Sequence, residues 1–181
     1  KLQNLEVQTH DMNHFGIDRQ FDRVVSVEMF EHMKNYEELL SRINRWLKPE
    51  GQLFVHIFSH TEYAYHFETN GDSNWLARHF FTGGIMPSDD LLGAFDRDLK
   101  ITKQWQVNGV HYHKTSEAWL ENMNRHKEEI KAIFSRTYGP DQATKWWAYW
   151  RVFFMACSEL WKTNQGNEWI VSHYLFERGN Q

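Results

Sequence analysis

Residues 21–33 read Phe-Asp-Arg-Val-Val-Ser-Val-Glu-Met-Phe-Glu-His-Met, FDRVVSVEMFEHM in one-letter form, and the fold is decided by how this stretch is read. Arg23 to Val27 is short, β-branched and nearly continuous in its apolar character, which predicts a buried strand of a parallel sheet. The chain then leaves that strand through Glu28–Met33. If this segment turns helically, Glu28, Glu31 and His32 stand at i, i+3 and i+4 and share one face. In a wound α/β sheet, ligands bind beyond the carboxyl ends of strands, and this segment follows such an end. Neighbouring carboxylates raise one another's pKa and attract a cation, and a histidine beside them can relay a proton near neutral pH. An exposed cap cluster is the plain alternative.

Working outward, Asn35 is placed to cap the next helix, with Glu37 and Glu38 in its first turn complementing the helix dipole. Leu39, Leu40, Ile43, Trp46 and Leu47 form its apolar face, and Lys48-Pro49-Glu50-Gly51 ends it. Gln52–Phe58 (QLFVHIF) is predicted as another buried strand, interrupted by His56, which either points into the crevice of the carboxylates or sits bonded to backbone in the core. Ahead of the opening stretch, Leu5, Val7 and Thr9 alternate with polar residues and predict a short strand, with Asp11 just beyond it. Strand, strand, helix, strand is the order of a wound α/β sheet.

Ser59–Met86 is irregular and rich in His and aromatics, as expected of a functional lid or of a helix whose pattern the sequence obscures. Ser88, Asp89 and Asp90 suggest a helix start running to Phe95. Leu99–Val107 alternates as a strand and turns at Asn108-Gly109. Thr115 is placed to cap a long helix stopped by Tyr138-Gly139-Pro140, and Asp141 opens a second one whose stretch Trp146–Trp161 is apolar nearly all round. Glu168–Phe176 (EWIVSHYLF) closes the pattern as a strand.

The 181 residues suit one domain with a real core. With 9 Trp, 13 Phe and 7 Tyr, that core must hold bulky layers or wall an aromatic pocket. A net charge of -4 with interspersed signs lacks the electrostatic footprint of nucleic-acid binding. No apolar stretch reaches membrane-spanning length, and the single Cys157, buried in an apolar run, fits a reducing, cytoplasmic setting. Tyr112, in His111-Tyr112-His113, could bond a reacting group; the histidines make no metal motif, and no metal site is expected. None of the 10 glycines forms a G-x-G pair after a strand, so the chain has no backbone cradle for a nucleotide. It opens on Lys1 rather than Met, as a piece of a longer protein would.

The stretch FDRVVSVEMFEHM resembles the fourth-strand motif of the cyclopropane fatty-acid synthase-like methyltransferases, and looks most like the coclaurine N-methyltransferase branch. Leu47–Gly51 (LKPEG), Phe80–Ser88 (FFTGGIMPS), Asn108–Trp119 (NGVHYHKTSEAW) and Glu168–Phe176 extend the resemblance over nearly the whole chain. The resemblance implies an α/β, class I (Rossmann-like) methyltransferase fold lacking its first strands and glycine loop, with a helical lid. Residues 1–181 would be the C-terminal portion of one methyltransferase domain, with 59–98 and 110–162 covering the acceptor site. S-adenosyl-L-methionine is the implied cosubstrate, with Asp11 and Met12 near its adenine. Glu31 and His32 match the Glu-His pair of amine methylation, and Glu28 discriminates, since cyclopropane synthases typically carry Gly there. Under the lipid reading, Glu31, His56 and Tyr112 would instead hold bicarbonate, and phospholipid would replace a small-molecule amine as acceptor. Phe80, Phe81 and Trp147 would offer cation–π faces to the cationic partners. Either the chain is an incomplete gene product or another polypeptide supplies the front half, with a homo-oligomer left open; a non-catalytic module needing a partner is the third reading.

Overall fold

A computed structural model of the chain describes residues 3–70 and 74–179. Its centre is a four-stranded mixed sheet. Strand β1 (Phe21–Val27) runs parallel to β2 (Leu47–His60), joined by helix α1 (Tyr36–Trp46). β2 then pairs antiparallel with β6 (Trp169–Arg178), and β6 antiparallel with β5 (Leu99–Val107), giving the order β1-β2-β6-β5. The β1-α1-β2 crossover is the wound unit that the opening stretch predicts, but β1 is not the buried strand expected of it: Val25 and Val27 are 64% and 56% exposed.

Helix α1 forms for the reasons its sequence states. Asn35 accepts the Glu38 amide with its side chain at 3.1 Å, Glu37 and Glu38 occupy the first turn, and Tyr36, Leu39, Leu40 and Ile43 are buried. These residues meet Leu53, Val55 and Ile57 of β2 and Tyr174 and Phe176 of β6 in the main core. The opposite sheet face carries His56, Phe58 and His173. At the carboxyl end of β2 it is covered by a second apolar cluster of Phe58, Met86 and Trp161.

Short elements lie between β2 and β5: the two-residue strands β3 (Tyr65–His66) and β4 (Ile85–Met86), which pair, helix α2 (Trp75–His79) and a 3-10 turn (Leu91–Ala94). The irregular stretch expected at 59–86 therefore contains a hairpin and a turn of helix. Beyond β5 come α3 (Val110–Arg125), α4 (Lys127–Tyr138) and α5 (Ala143–Lys162). Among the described residues, no helix is long and apolar enough to cross a membrane.

Several expectations need correction. Leu5, Val7 and Thr9 form no strand: Leu5 and Val7 are 65% and 83% exposed, and residues 5–9 have no ladder partner among the described residues. An alternating pattern makes a strand only where a neighbour can take its backbone bonds. Ser88–Phe95 yields only a 3-10 turn at Leu91–Ala94, because the Ser88 hydroxyl bonds the Asp90 carboxylate at 2.7 Å instead of capping a helix. Thr115 is not a cap: α3 starts five residues earlier behind Gly109, and the Thr115 hydroxyl donates back to the His111 carbonyl at 2.9 Å. The expected single helix also breaks at His126, dividing α3 from α4. Gly139, at φ +97°, does stop α4 as read, but Asp141 sits in a 3-10 turn and α5 begins at Ala143. Val152 and Met155 are 43% and 41% exposed, so α5 is less enclosed than its apolar run implies.

Gly109 sets how closely the helical lid docks on the sheet. A Cβ there would meet the Trp169 carbonyl oxygen at 2.2 Å and the Trp161 carbonyl oxygen at 2.8 Å, both backbone atoms that cannot rotate aside. Gly109→Ala is therefore expected to destabilise the chain by about 1–3 kcal/mol or more, the usual scale of overpacking. Urea midpoints measure it, and an unchanged midpoint would contradict this docking.

Candidate active site

The end of β1 is a strained, rigid turn. Glu28 takes a left-handed backbone conformation, φ +50°, which a residue with a side chain adopts at a cost of order 1–3 kcal/mol. Its amide is tied to the His56 carbonyl at 3.0 Å, so β2 fixes where the chain leaves the sheet. A 3-10 turn at Phe30–His32 follows. Phe30 is fully buried, its carbonyl accepts the Tyr36 hydroxyl at 3.0 Å, and its ring stacks on Tyr36. The turn cannot swing outward without uncovering both rings.

Glu28, Glu31 and His32 all face one cavity of about 750 Å³, within the range of small-molecule sites. Its walls are mainly aromatic: Phe58, Phe67, Phe81, Phe153, Phe154 and Trp161. Tyr112, from the first turn of α3, stands at the polar end and lies flat against Trp161, ring centroids 5.0 Å apart.

The two carboxylates differ in their surroundings. Glu28 accepts the Tyr112 hydroxyl at 2.7 Å and lies 3.0 Å from His56 Nε2. Burial raises its pKa, opposed by the Tyr112 hydrogen bond and by the charge of His32. Glu31 is only 2% exposed, and its Oε2 is buried with no hydrogen-bond partner. Burial, reinforced by the nearby Glu28 charge, pushes its pKa up to about 7. His32 Nε2 lies 3.7 Å from Glu31 Oε1, with its own ring half exposed. A buried carboxyl with one unpartnered oxygen and a pKa raised toward neutrality is suited to take a proton or to hold a cation.

Most of the sequence-predicted residues converge. Glu28, Glu31, His32 and Tyr112 line the cavity, while His56 stands behind them, bonded to Tyr112 Oη at 3.0 Å. Asp11 and Met12 do not join them: Asp11 is exposed and held by Asn13, and Met12 leans on the main core. Among the expected lid aromatics only Phe81 faces the cavity. Phe80 stacks on Phe153 at 4.5 Å and packs on Trp150, and Trp147 is buried elsewhere. Cys157 lines the cavity with its thiol pushed up by burial to about 12, so it stays protonated. Sequence reading missed His173, whose Nε2 is 2.8 Å from His56 Nδ1. The available signal was a second histidine breaking an apolar strand, as His56 does.

Known proteins resemble this chain over most of its length. The mycolic acid cyclopropane synthetase family matches residues 2–169. (S)-Coclaurine N-methyltransferase of Papaver somniferum is 36% identical over 181 residues, covering 98% of this chain and 52% of the relative. Pavine N-methyltransferase of Thalictrum flavum subsp. glaucum is 34% identical over 180 residues, covering 98% and 51%. The crystal structure of coclaurine N-methyltransferase bound to N-methylheliamine and SAH superposes with a TM-score of 0.90 at 35% identity, over 97% of this chain and 52% of that one. The cyclopropane synthase MmaA2 from Mycobacterium tuberculosis shares the fold, with a TM-score of 0.70 at 18% identity over 90% and 57%. The fold is that of the class I methyltransferases, and the chain spans about half the length of the curated relatives it matches.

The raised Glu31 pKa ties stability to pH. Below its unfolded value of 4.5, Glu31 is protonated in both states and the penalty is absent; as pH rises toward about 7, the unfolded state ionises first and the folded state loses ground. Glu31→Gln should accordingly gain on the order of 2–3 kcal/mol relative to the natural chain between pH 4.5 and pH 8. Urea denaturation at both pH values measures this, and an equal difference at the two would contradict it.

Proposed function

The chain belongs to the mycolic acid cyclopropane synthetase family, and from that premise we propose that it carries the acceptor side of an S-adenosylmethionine-dependent N-methyltransferase acting on a small-molecule amine. The observation that carries this reading is the unpaired, buried Glu31 oxygen facing an aromatic cavity, with a second carboxylate, Glu28, beside it. Two carboxylates in a desolvated pocket favour a protonated amine and gain nothing from a neutral alkene. The aromatic walls complement a cation by their ring faces, and Phe81 is the lid residue best placed to do so.

S-adenosylmethionine supplies an electrophilic methyl group on a sulfonium. An ammonium has no lone pair to meet it, so the acceptor must first lose a proton. Glu31 takes that proton, because its pKa near 7 suits a base working at neutral pH. His32, 3.7 Å away and half exposed, passes the proton to water. Glu28, held by Tyr112, keeps the nitrogen in place, and positioning carries much of the acceleration. We assign the acceptor cover to segments 59–98 and 110–162, which supply the cavity walls from Phe58's neighbours through Trp161. Asp11 and Met12 remain the residues for the donor adenine, and the rest of the donor site is assigned to polypeptide other than the described residues. The single Cys157 suits a reducing, cytoplasmic setting.

The lipid alternative fits less well. Bicarbonate would need Tyr112 and His56, but both already face the Glu28 carboxylate. A second anion placed there would lie beside Glu28 and Glu31 and be repelled by both.

Radiolabelled methyl transfer from S-adenosylmethionine, run with amines and with extracted lipids, tests the proposal in the protein bearing its donor half. Label is expected in amines, and Glu31→Gln should cut turnover roughly 10²–10⁴-fold. Label in lipid alone would overturn it. In the 181-residue chain itself, secondary amines should bind by calorimetry and lose affinity in Glu31→Gln. Glu28→Gly should raise stability by about 1 kcal/mol through relief of the left-handed turn, while weakening amine binding; a loss of stability with full binding would remove Glu28 from the site.

A further inference from the structure

His173 lies outside the cavity, on β6 directly across from His56 of β2. Its Nε2 is 2.8 Å from His56 Nδ1, and its ring is walled by Phe54 at 5.2 Å and Trp105 at 5.4 Å. The titratable groups that face this imidazole pair are Glu28 from the turn after β1 and Tyr112 from α3; β5 contributes only the Trp105 ring.

The hydrogens along this chain of contacts can be assigned from geometry. Tyr112 has one hydroxyl proton and gives it to Glu28 Oε1 at 2.7 Å, so toward His56 its oxygen can only accept. His56 Nε2 stands 3.0 Å from that same oxygen and 3.0 Å from Glu28 Oε1. An unprotonated Nε2 would set a lone pair against a carboxylate, so Nε2 must carry the hydrogen. Burial lowers the pKa of His56, which keeps the ring neutral, and a neutral ring with Nε2–H has a bare Nδ1. The group facing that bare nitrogen is His173 Nε2, which must therefore donate.

Resting on the amine-methylation reading of the site, we propose that His173 is a positioning residue: its Nε2–H fixes His56 as the Nε2–H tautomer, and His56 in turn holds the Glu28 carboxylate as the fixed anion of the amine site. The two carboxylates then divide the work. Glu28 receives the Tyr112 hydroxyl and has His56 Nε2 3.0 Å away, which suits it to anchor the cation, whereas Glu31 Oε2 has no hydrogen-bond partner and is left to accept the proton. Pairs of acids separated by environment in this way are a general route to distinct roles. Without His173, the bare Nδ1 of His56 loses its donor, and the contacts with Tyr112 and Glu28 alone hold the hydrogen toward the cavity.

Histidine ring nitrogens of the ¹⁵N-labelled chain, read by long-range ¹H–¹⁵N correlation at pH 8, give the tautomer directly. His56 is expected to show a protonated Nε2 and a bare Nδ1. In His173→Phe, which suits the aromatic walls, the Nδ1–H form of His56 should become detectable beside the Nε2–H form, because only the Glu28 and Tyr112 side still opposes it. In His173→Gln, whose side-chain amide can still donate, the Nε2–H form should return. Amine affinity by calorimetry should fall about tenfold in His173→Phe, the scale of one hydrogen bond to a charged group, and recover in His173→Gln. A His56 that carries its proton on Nδ1 in the natural chain, or keeps one tautomer and full amine affinity in His173→Phe, would overturn the proposal. Failure of the natural chain to bind any amine would instead defeat the methylation reading, and the tautomer measurement would still decide the role of His173.

Discussion

A carboxyl group held inside an aromatic cavity with one oxygen unpaired is the constraint on which the site depends. Water would relieve Glu31 at once if the turn could open, since an uncompensated buried carboxylate costs several kcal/mol. The turn cannot open cheaply. Phe30 is sealed under Tyr36, the Glu28 amide is anchored on β2, and the backbone at Glu28 is already in the left-handed region. Stability has been given up at two neighbouring positions, the left-handed Glu28 backbone and the unpartnered Glu31 oxygen, to aim two acids at one place, which is how functional sites commonly concentrate strain. The cavity walls then determine what can satisfy them. Phe58, Phe67, Phe153 and Trp161 provide ring faces, which under the proposed reading suit a guest that is apolar in body and cationic at one end.

The sheet explains why the polar groups meet here. β1 and β2 run parallel, so Glu28 leaves the sheet at the level of His56. β6 runs against β2 and places His173 beside His56 on the same face. α3 is drawn in by the close approach at Gly109, which brings Tyr112 over the strand end. Lower on that face the covering is thinner: Val25 and Val27 are 64% and 56% exposed and Trp105 is 43% exposed. The outer edge of β1 has no ladder partner among the described residues.

Much of this was legible in the sequence. The β-branched run Arg23–Val27, the Asn35 cap and the apolar face of α1 gave a wound unit because each is a local signal acting in the same direction. The convergence of Glu28, Glu31 and His32 was legible from spacing alone, although the segment is a 3-10 turn and not an α-helix. What was hidden depended on distant partners. Leu5–Thr9 has strand periodicity but no neighbour to pair with among the described residues. Thr115 looks like a cap only if one ignores Gly109, whose missing Cβ lets α3 begin against Trp169. Phe80 and Trp147 carry the right chemistry for a lid, yet packing turns them toward other aromatics. His173 was invisible because its role is set by a cross-strand neighbour 117 positions away.

Carbon-13 NMR of the side-chain carboxyls, assigned by Glu31→Gln, tests the central claim most directly. Glu31 should titrate with a midpoint near 7, and that midpoint should fall when a protonated amine occupies the cavity. A midpoint at the ordinary glutamate value, unmoved by amines, would mean that Glu31 is hydrated, and the account of the site would fail.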